Sequence, residues 1–318
     1  MENEKLNSRT IERVFVTGAS GFIGSALVDL LSRQELDIRC LVNKSPLTTN
    51  STGVGTVQGN LINFEWRFLE GYKPDIIYHF ARIPGRTKKE RQHSAIQNAK
   101  ANERLINWLQ NQQNPPLLVF GSGTLVYGNH GSDWVNESAE VHPVSFQREY
   151  FEAERPVLQA LKQKGLPINI VRPPWIYGTG SWFEWFFWKH MQEKKAVPLY
   201  SDGQNYMSLI HIDDCAGLIH HIGKYGEAGE IYNITSHAPI RQRKFTEQLQ
   251  TISELPIKKY SGTRLWWQFS REAREALTFS LKSTTKHNSL FEQYQYKYPD
   301  LEAGLQSIFQ RLKFSEGN

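Results

Sequence analysis

Thr17-Gly18-Ala19-Ser20-Gly21-Phe22-Ile23-Gly24 decides the fold, because of what stands on either side of it. Before it, Arg13 to Thr17 is a short apolar run; after it, Phe22 to Arg33 is amphipathic at helical spacing. Strand, glycine turn and helix in that order form the setting in which such a turn cradles a pyrophosphate. Gly18 permits the tight turn, Gly21 lets the backbone approach the phosphates, and Gly24 lets the helix lie close to the strand. The helix N-terminus adds open N–H groups and a partial positive charge.

Outward from this turn the chain alternates. Apolar runs at Ile38–Val42, Gly55–Val57, Ile76–Phe80, Leu117–Phe120 and Ile168–Val171 are separated by a polar loop through Gly55 and by helical stretches at Ala95–Gln110 and Phe146–Lys164. Strands alternating with helices predict parallel βαβ units and therefore an α/β fold, a Rossmann-type doubly wound sheet. Past Gly178 the alternation loosens into a helix over Trp182–Lys195, a strand at Ser208–Ile212, a helix at Asp213–Ile222, and helical pieces at Phe245–Ile252 and Leu301–Leu312. The expected organisation is a dinucleotide-binding domain over 1–178, to which segments of about 204–235 return, and a smaller C-terminal α+β substrate lobe over 179–318.

The bulk composition agrees. Among 318 residues, 39% are hydrophobic and 12% aromatic, enough for a core. The net charge of +5 is mild and not gathered into a run, which suits an anionic cofactor or substrate and gives no reason to expect nucleic acid. Met1–Arg9 is polar, no window is apolar enough to span a membrane, and Cys40 and Cys215 offer neither a disulfide framework nor metal spacing. A soluble protein of the reducing cytoplasm, without metal, is the expectation.

The spacing TGxxGxxG resembles that of extended short-chain dehydrogenases/reductases, the NAD-dependent epimerase/dehydratase family, and the likeness runs along most of the chain. Ile77-Tyr78-His79-Phe80-Ala81 is similar to the family's fourth strand, Asn98 leads a helix like its "N…GT…NLL" segment, and Val126-Tyr127-Gly128 matches "VYG". Arg172-Pro173-Pro174-Trp175-Ile176-Tyr177-Gly178 is similar to "RPxNVYG", Ile210-His211-Ile212-Asp213-Asp214 to "IHVDD", and Tyr296–Leu305 to a C-terminal segment. The resemblance implies an NAD(P) site. Its contacts would come from Gly18, Ser20, Gly21, Phe22, Ile23 and Gly24 at the turn, and from Asn43 and Lys44 after the second strand. Asn60 and Leu61 would follow the third strand, Phe80, Ala81 and Arg82 the fourth, with Asn98 and Pro173 completing the set. NAD-preferring relatives carry an acidic residue after the second strand; Asn43-Lys44-Ser45 has none, and Lys44 could neutralise a 2′-phosphate. NADP is therefore preferred over NAD.

The family's Ser/Thr–Tyr–Lys triad is the part that does not carry over. Three residues before Val126 stands Gly123, flanked by Ser122 and Thr124. Anchoring the next helix on Glu154 and Arg172 puts Phe146 at the tyrosine position and Tyr150 at the lysine position. A second register makes Tyr150 the acid and Glu154 the lysine equivalent, which leaves too few residues before Arg172 and a carboxylate where a cation is needed. Pro156 removes a backbone N–H from this helix and predicts a kink. The hydroxyl groups left as candidate proton-transfer residues are Tyr127, Tyr150 and Thr124.

Two further departures concern the substrate. The arginine that grips a nucleotide diphosphate four residues before the "IHVDD" histidine is Met207 here, and the asparagine of "RPxNVYG" is Trp175. Losing a bidentate anion clamp and gaining an apolar ring argues for a non-nucleotide, apolar or aromatic small molecule. Trp175, Tyr177, Trp182, Trp185, Met207 and Arg82 are its candidate contacts; Arg82, at a position usually small, could bind a carboxylate or phosphate. Six large aromatics between Trp182 and Trp188 cannot all point inward on one helix. Trp266 and Trp267 are expected to stabilise the C-terminal lobe, and the basic residues from Lys258 to Arg274 to form a solvated face.

Three functions remain open: an atypical enzyme of this family with redox or non-redox chemistry, a non-catalytic NADP(H) sensor acting through a partner, and an ordinary sugar-nucleotide epimerase, which the replaced triad disfavours. By analogy with the family, a homodimer would form through the helices carrying Asn98 and Phe146.

Overall fold

The computed structural model describes residues 8–47 and 53–316; the side chains of Phe146, Lys164, Arg264 and 314–316 lie outside that description. Seven strands form one sheet: β1 (Arg13–Thr17), β2 (Asp37–Val42), β3 (Val54–Gln58), β4 (Ile76–His79), β5 (Leu117–Gly121), β6 (Ile168–Arg172) and β7 (Ile231–Asn233). Their order is β7-β6-β5-β4-β1-β2-β3, and every pairing is parallel. The chain leaves β1 for β2 on one side and later returns to β4 on the other. Strand order reverses at that point, where the carboxyl ends of β1 and β4 open a crevice.

Side-chain alternation along β1 splits the core. Val14 and Val16 face α1 (Phe22–Leu31), through Leu27, Val28 and Leu31, and α4 (Ile212–Tyr225), through Leu218, Ile219 and Ile222. Phe15 faces the opposite layer, where Leu105, Ile106 and Leu109 of α2 (Lys88–Gln110) and Val157 and Ala160 of α3 (Arg148–Lys164) cover the sheet. A sheet covered on both faces needs near-continuous apolar strands, as at Ile76–His79, where all four residues are buried.

α2 starts at Lys88, seven residues before the first buried alanine suggested. Thr87 accepts from the Glu90 N–H while the Glu90 carboxylate accepts from the Thr87 N–H, a capping box that launches a polar first turn. α3 follows a 3₁₀ turn at Ser145–Gln147, contains Pro156, and ends at Gly165 in the left-handed region. Over Trp182–Lys195 the expected single helix is a π turn, Glu184–Trp188, running into an α-helix at Lys189–Lys194.

The second lobe has its own core. Phe183, Phe187, Trp188 and Met191 pack with Phe245 and Leu249 of α5 (Gln242–Ser253) and Leu305, Ile308 and Phe309 of α6 (Leu301–Glu316). No helix among the described residues is long and apolar enough to cross a membrane. Cys40 and Cys215 are free and buried.

Candidate functional site

The glycine turn sits at the switch point between β1 and β4. Gly18 has φ +73°, and a Cβ there would lie 2.5 Å from both Ala81 N and Phe80 C. A Cβ at Gly24 would lie 2.1 Å from the Gly18 carbonyl oxygen, so only glycine allows α1 to approach this closely. Gly21 donates its N–H to Gly18 O at 2.9 Å and caps α1 without a side chain. No acidic residue stands in the first turn of α1, and Ser20 beside it is exposed. Glycine-lined backbone with an uncapped positive helix end fits a pyrophosphate.

The end of β4 is held rigidly. Thr17 Oγ1 lies 2.8 Å from His79 Nδ1 and accepts the Ala81 N–H at 3.2 Å. His79 Nε2 meets Asn102 Oδ1 at 3.0 Å, and Asn102 in turn donates to Ala153 O of α3 at 2.7 Å. The amide oxygen requires Nε2 to carry the proton, so Nδ1 accepts from Thr17. Burial lowers the His79 pKa to about 4, only partly offset by the bond to Asn102, and the ring is neutral. Asn98 accepts from Ile83 N at 2.9 Å and donates to Ile83 O at 3.1 Å, pinning the segment that follows Arg82.

Beyond β2, Asn43 and Lys44 are exposed, and Gln58 donates to the Asn43 carbonyl at 2.7 Å. Asn60 Oδ1 accepts from the N–H groups of Ile62 and Asn63, which commits that oxygen to its own loop, while Leu61 is buried beside it.

Only one of the three candidate hydroxyl groups reaches the crevice. A cavity of about 40 Å³ lies between Phe80–Arg82, Gly121–Gly123, Gln147 and Tyr150. Tyr150 is half-buried there, with the Arg82 guanidinium carbon 4.2 Å from its ring centroid. Thr124 and Tyr127 are withdrawn as proton-transfer candidates, being 1% and 0% exposed. Both lie on the 3₁₀ turn Thr124–Tyr127, of which Val126 and not these two lines the cavity. At Gly123 a Cβ would find its nearest neighbour, Pro173 O, at 3.6 Å, so space is not what excludes a serine there. The side chain of Phe146 falls outside the described residues; its backbone belongs to the turn before α3. Gln147, one helical turn before Tyr150, also lines the cavity and was missed; its i, i+3 spacing from Tyr150 was the available signal.

Behind the cleft runs a buried polar chain that motif reading used as landmarks without seeing its wiring. The Ser122 hydroxyl donates to Glu154, Arg172 Nη2 donates to Glu154 at 2.6 Å, and Arg172 Nη1 donates to Tyr127 OH at 2.9 Å. Tyr127 then donates to Asn233 at 2.8 Å. Burial works against the Arg172 charge most strongly, yet Glu154 and Tyr127 together outweigh it and raise the arginine pKa. Burial likewise raises that of Tyr127, against the influence of Arg172. These groups hold β5, β6, β7 and α3 together under the cleft floor.

The substrate candidates divide. Trp175, Trp182 and Met207 come together around a cavity of about 10 Å³, room for no more than about one water, with the two indoles 5.1 Å apart edge to face. Tyr177 is not with them: it is fully buried, its ring edge-on to His211 at 5.4 Å. Trp185 is 63% exposed and carries Lys189 Nζ 3.4 Å above its ring, so it faces solvent and not the cleft. Trp266 and Trp267, 72% and 89% exposed, do not bury themselves in the C-terminal lobe either. Among the described residues no cluster of His, Cys, Asp or Glu could hold a metal.

A doubly wound parallel sheet with a glycine cradle at its switch point defines the class of dinucleotide-binding α/β proteins. Within it, the chain belongs to the NAD dependent epimerase/dehydratase family, whose profile matches residues 14–235. It is similar to the uncharacterized UDP-glucose epimerase YtcB of Bacillus subtilis, 27% identical over 264 residues, 76% of this chain and 82% of that one. It is also similar to the 4-hydroxy-2-methyl-3-oxo-4-farnesyl-3,4-dihydroquinoline-1-oxide ketoreductase of Stigmatella aurantiaca, 24% identical over 288 residues, 82% of this chain and 83% of that one. Among solved structures, dTDP-glucose 4,6-dehydratase from Bacillus anthracis in complex with NAD superposes with TM-score 0.78 at 21% identity, covering 96% of this chain and 98% of that one. Human epimerase family protein SDR39U1 with NADPH gives 0.75 at 18%, covering 94% and 99%.

Proposed function

We propose that this protein binds a nicotinamide dinucleotide, NADP in preference to NAD, and reduces or oxidises a small apolar or aromatic non-nucleotide molecule, with Tyr150 as its proton-transfer group. The observation that carries the reading is the Arg82–Tyr150 pair in the crevice, at 4.2 Å. A phenol needs a permanent cation nearby where negative charge develops during proton transfer, and a guanidinium is always charged. Arg82 would supply from the end of β4 what relatives supply by a lysine on the helix. A bound reduced dinucleotide supplies the hydride for a carbonyl carbon. Tyr150 gives its hydroxyl proton to the carbonyl oxygen, and Gln147 is the neutral group at hand to orient it. The aromatic plug of Trp175 and Trp182, with Met207 in place of an arginine, supports a ligand without a diphosphate. One curated relative, a ketoreductase of a quinoline oxide, matches that class of substrate, whereas the epimerase relative does not.

The second reading, an NADP(H) sensor without turnover, is favoured by the narrowness of the cavity, about 40 Å³. A homodimer through α2 and α3 belongs to either reading, and Ile96 on α2 is 58% exposed.

The test is loss of NADPH absorbance with a panel of small aromatic and aliphatic ketones. Turnover should fall about a hundredfold to ten-thousandfold in Tyr150→Phe while NADPH affinity persists. NADPH binding without turnover of any ketone would favour the sensor. Efficient turnover of a UDP-sugar by the native chain would overturn the non-nucleotide reading.

A further inference from the structure

We infer that Arg82 is a carboxylate anchor, so that the molecule entering this cleft is an organic acid; the inference rests on reading this cleft as the functional site. Arg82 lies over the face of Tyr150. Its guanidinium carries five N–H donors, and its contact with the single Tyr150 hydroxyl cannot occupy all of them. Among the described residues no carboxylate comes within ion-pairing distance of Arg82. The nearest acid to act on it, Glu154, is already consumed: it pairs with Arg172 at 2.6 Å and accepts the Ser122 hydroxyl. Glu90, at the start of α2, is turned to the N–H groups of Arg86 and Thr87.

The cleft floor therefore carries one uncompensated positive charge, on a side chain open to solvent through the mouth. Of the other polar groups lining the cavity, Gln147 and Tyr150 are neutral hydrogen-bonding groups, while Ser122 and Glu154 are engaged with each other. A planar fork beside neutral donors is matched by a planar oxyanion, which a carboxylate is; a neutral ketone or alcohol leaves the charge unanswered. A cofactor phosphate is the competing anion. Its donors are already present in the glycine turn and the α1 N-terminus, whereas Arg82 rests on Tyr150 of α3.

The test is calorimetric titration of the full chain with benzoate and with its neutral isostere benzamide, with and without NADPH. Benzoate should bind at least about tenfold more tightly than benzamide. Arg82→Gln should bring the two to parity, and Arg82→Lys should retain part of the preference. NADPH affinity should stay within about threefold in both variants, with far-UV circular dichroism checking that each is folded. A preference for benzoate that survives Arg82→Gln overturns the inference. So does absence of benzoate binding to the native chain, or a tenfold loss of NADPH affinity in Arg82→Gln, which would give Arg82 to the cofactor phosphate. Arg82-dependent benzoate binding in a chain that binds no NADPH would leave the anchor standing and remove the oxidoreductase reading.

Discussion

Arg172 donates from Nη2 to Glu154 Oε1 across 2.6 Å, with 1% and 2% of the two side chains open to solvent, and so ties the end of β6 to the middle of α3. Two buried charges repay their desolvation only when the geometry is good and the remaining donors and acceptors are used. Here Ser122 and Tyr127 use part of that capacity, and Arg172 Nε is left without a partner. Glu154→Ala leaves an unpaired guanidinium in the interior and should cost about 3–5 kcal/mol of stability. Glu154→Gln should cost less, and Glu154→Ala with Arg172→Met less than the two single changes summed. Urea denaturation of the four variants is the measurement, and simple additivity would mean that the pair is not coupled.

Glycine substitutions in the turn should separate packing from charge. At Gly24 an added Cβ would sit 2.1 Å from a backbone carbonyl, so Gly24→Ala should lower the melting temperature and weaken NADPH together. At Gly21 the same atom would sit 3.1 Å from that carbonyl, a tight contact that a small shift relieves. Gly21→Asp should leave the fold nearly intact and remove NADPH binding, by setting a carboxylate against the pyrophosphate. Melting curves and calorimetry on both variants check this; full NADPH affinity in Gly21→Asp would take the dinucleotide away from the turn.

Lys44 follows β2 on the surface, with no carboxylate beside it in Asn43-Lys44-Ser45. Lys44→Glu should weaken NADPH about tenfold to a hundredfold and leave NADH nearly unchanged, as expected for one charge-assisted contact to a 2′-phosphate. Parallel titrations decide; equal losses for the two dinucleotides would show that Lys44 does not meet that phosphate.

Stability should fall on acidification below about pH 6.5, the ordinary histidine range. Burial lowers His79, His211 and His220 to about 4 from an ordinary value of 6.5. The unfolded chain therefore binds more protons between pH 6.5 and 4, and stability contributed by the neutral rings is fully present above 6.5 and lost as pH falls through that window. Each unit of difference is worth about 1.4 kcal/mol per histidine at most. Asp213, held below its usual range by Arg311 and Lys297 against burial, loses its contribution only at still lower pH. Urea midpoints between pH 7 and 4.5 should decline, and His79→Gln, which keeps the partners Thr17 and Asn102 within reach of an amide, should flatten the slope; a pH-independent midpoint would contradict the assignment.

Local pattern was enough for the fold. The turn between Thr17 and Gly24, apolar runs of strand length and amphipathic helices are properties of neighbouring residues, and parallel pairing follows from their alternation. Helix boundaries were read less well where polar caps did the work, as at Thr87 and Glu90. The departures from the family at Gly123, Met207 and Trp175 are also visible in the chain alone, since each is one residue's identity at one motif position. Which groups meet was not visible. Tyr127 and Tyr150 are equally plausible acids as letters, yet one is wired to Arg172 and Asn233 beneath the sheet and the other opens on the cleft. Arg82 and Tyr150 lie on different strand–helix units and meet only because β4 ends beside the start of α3. Exposure and through-space charge depend on contacts between residues distant in sequence, and the six aromatics from Trp182 to Trp188 sort into buried and solvent-facing only once a π turn and the α5–α6 core exist for them to pack against.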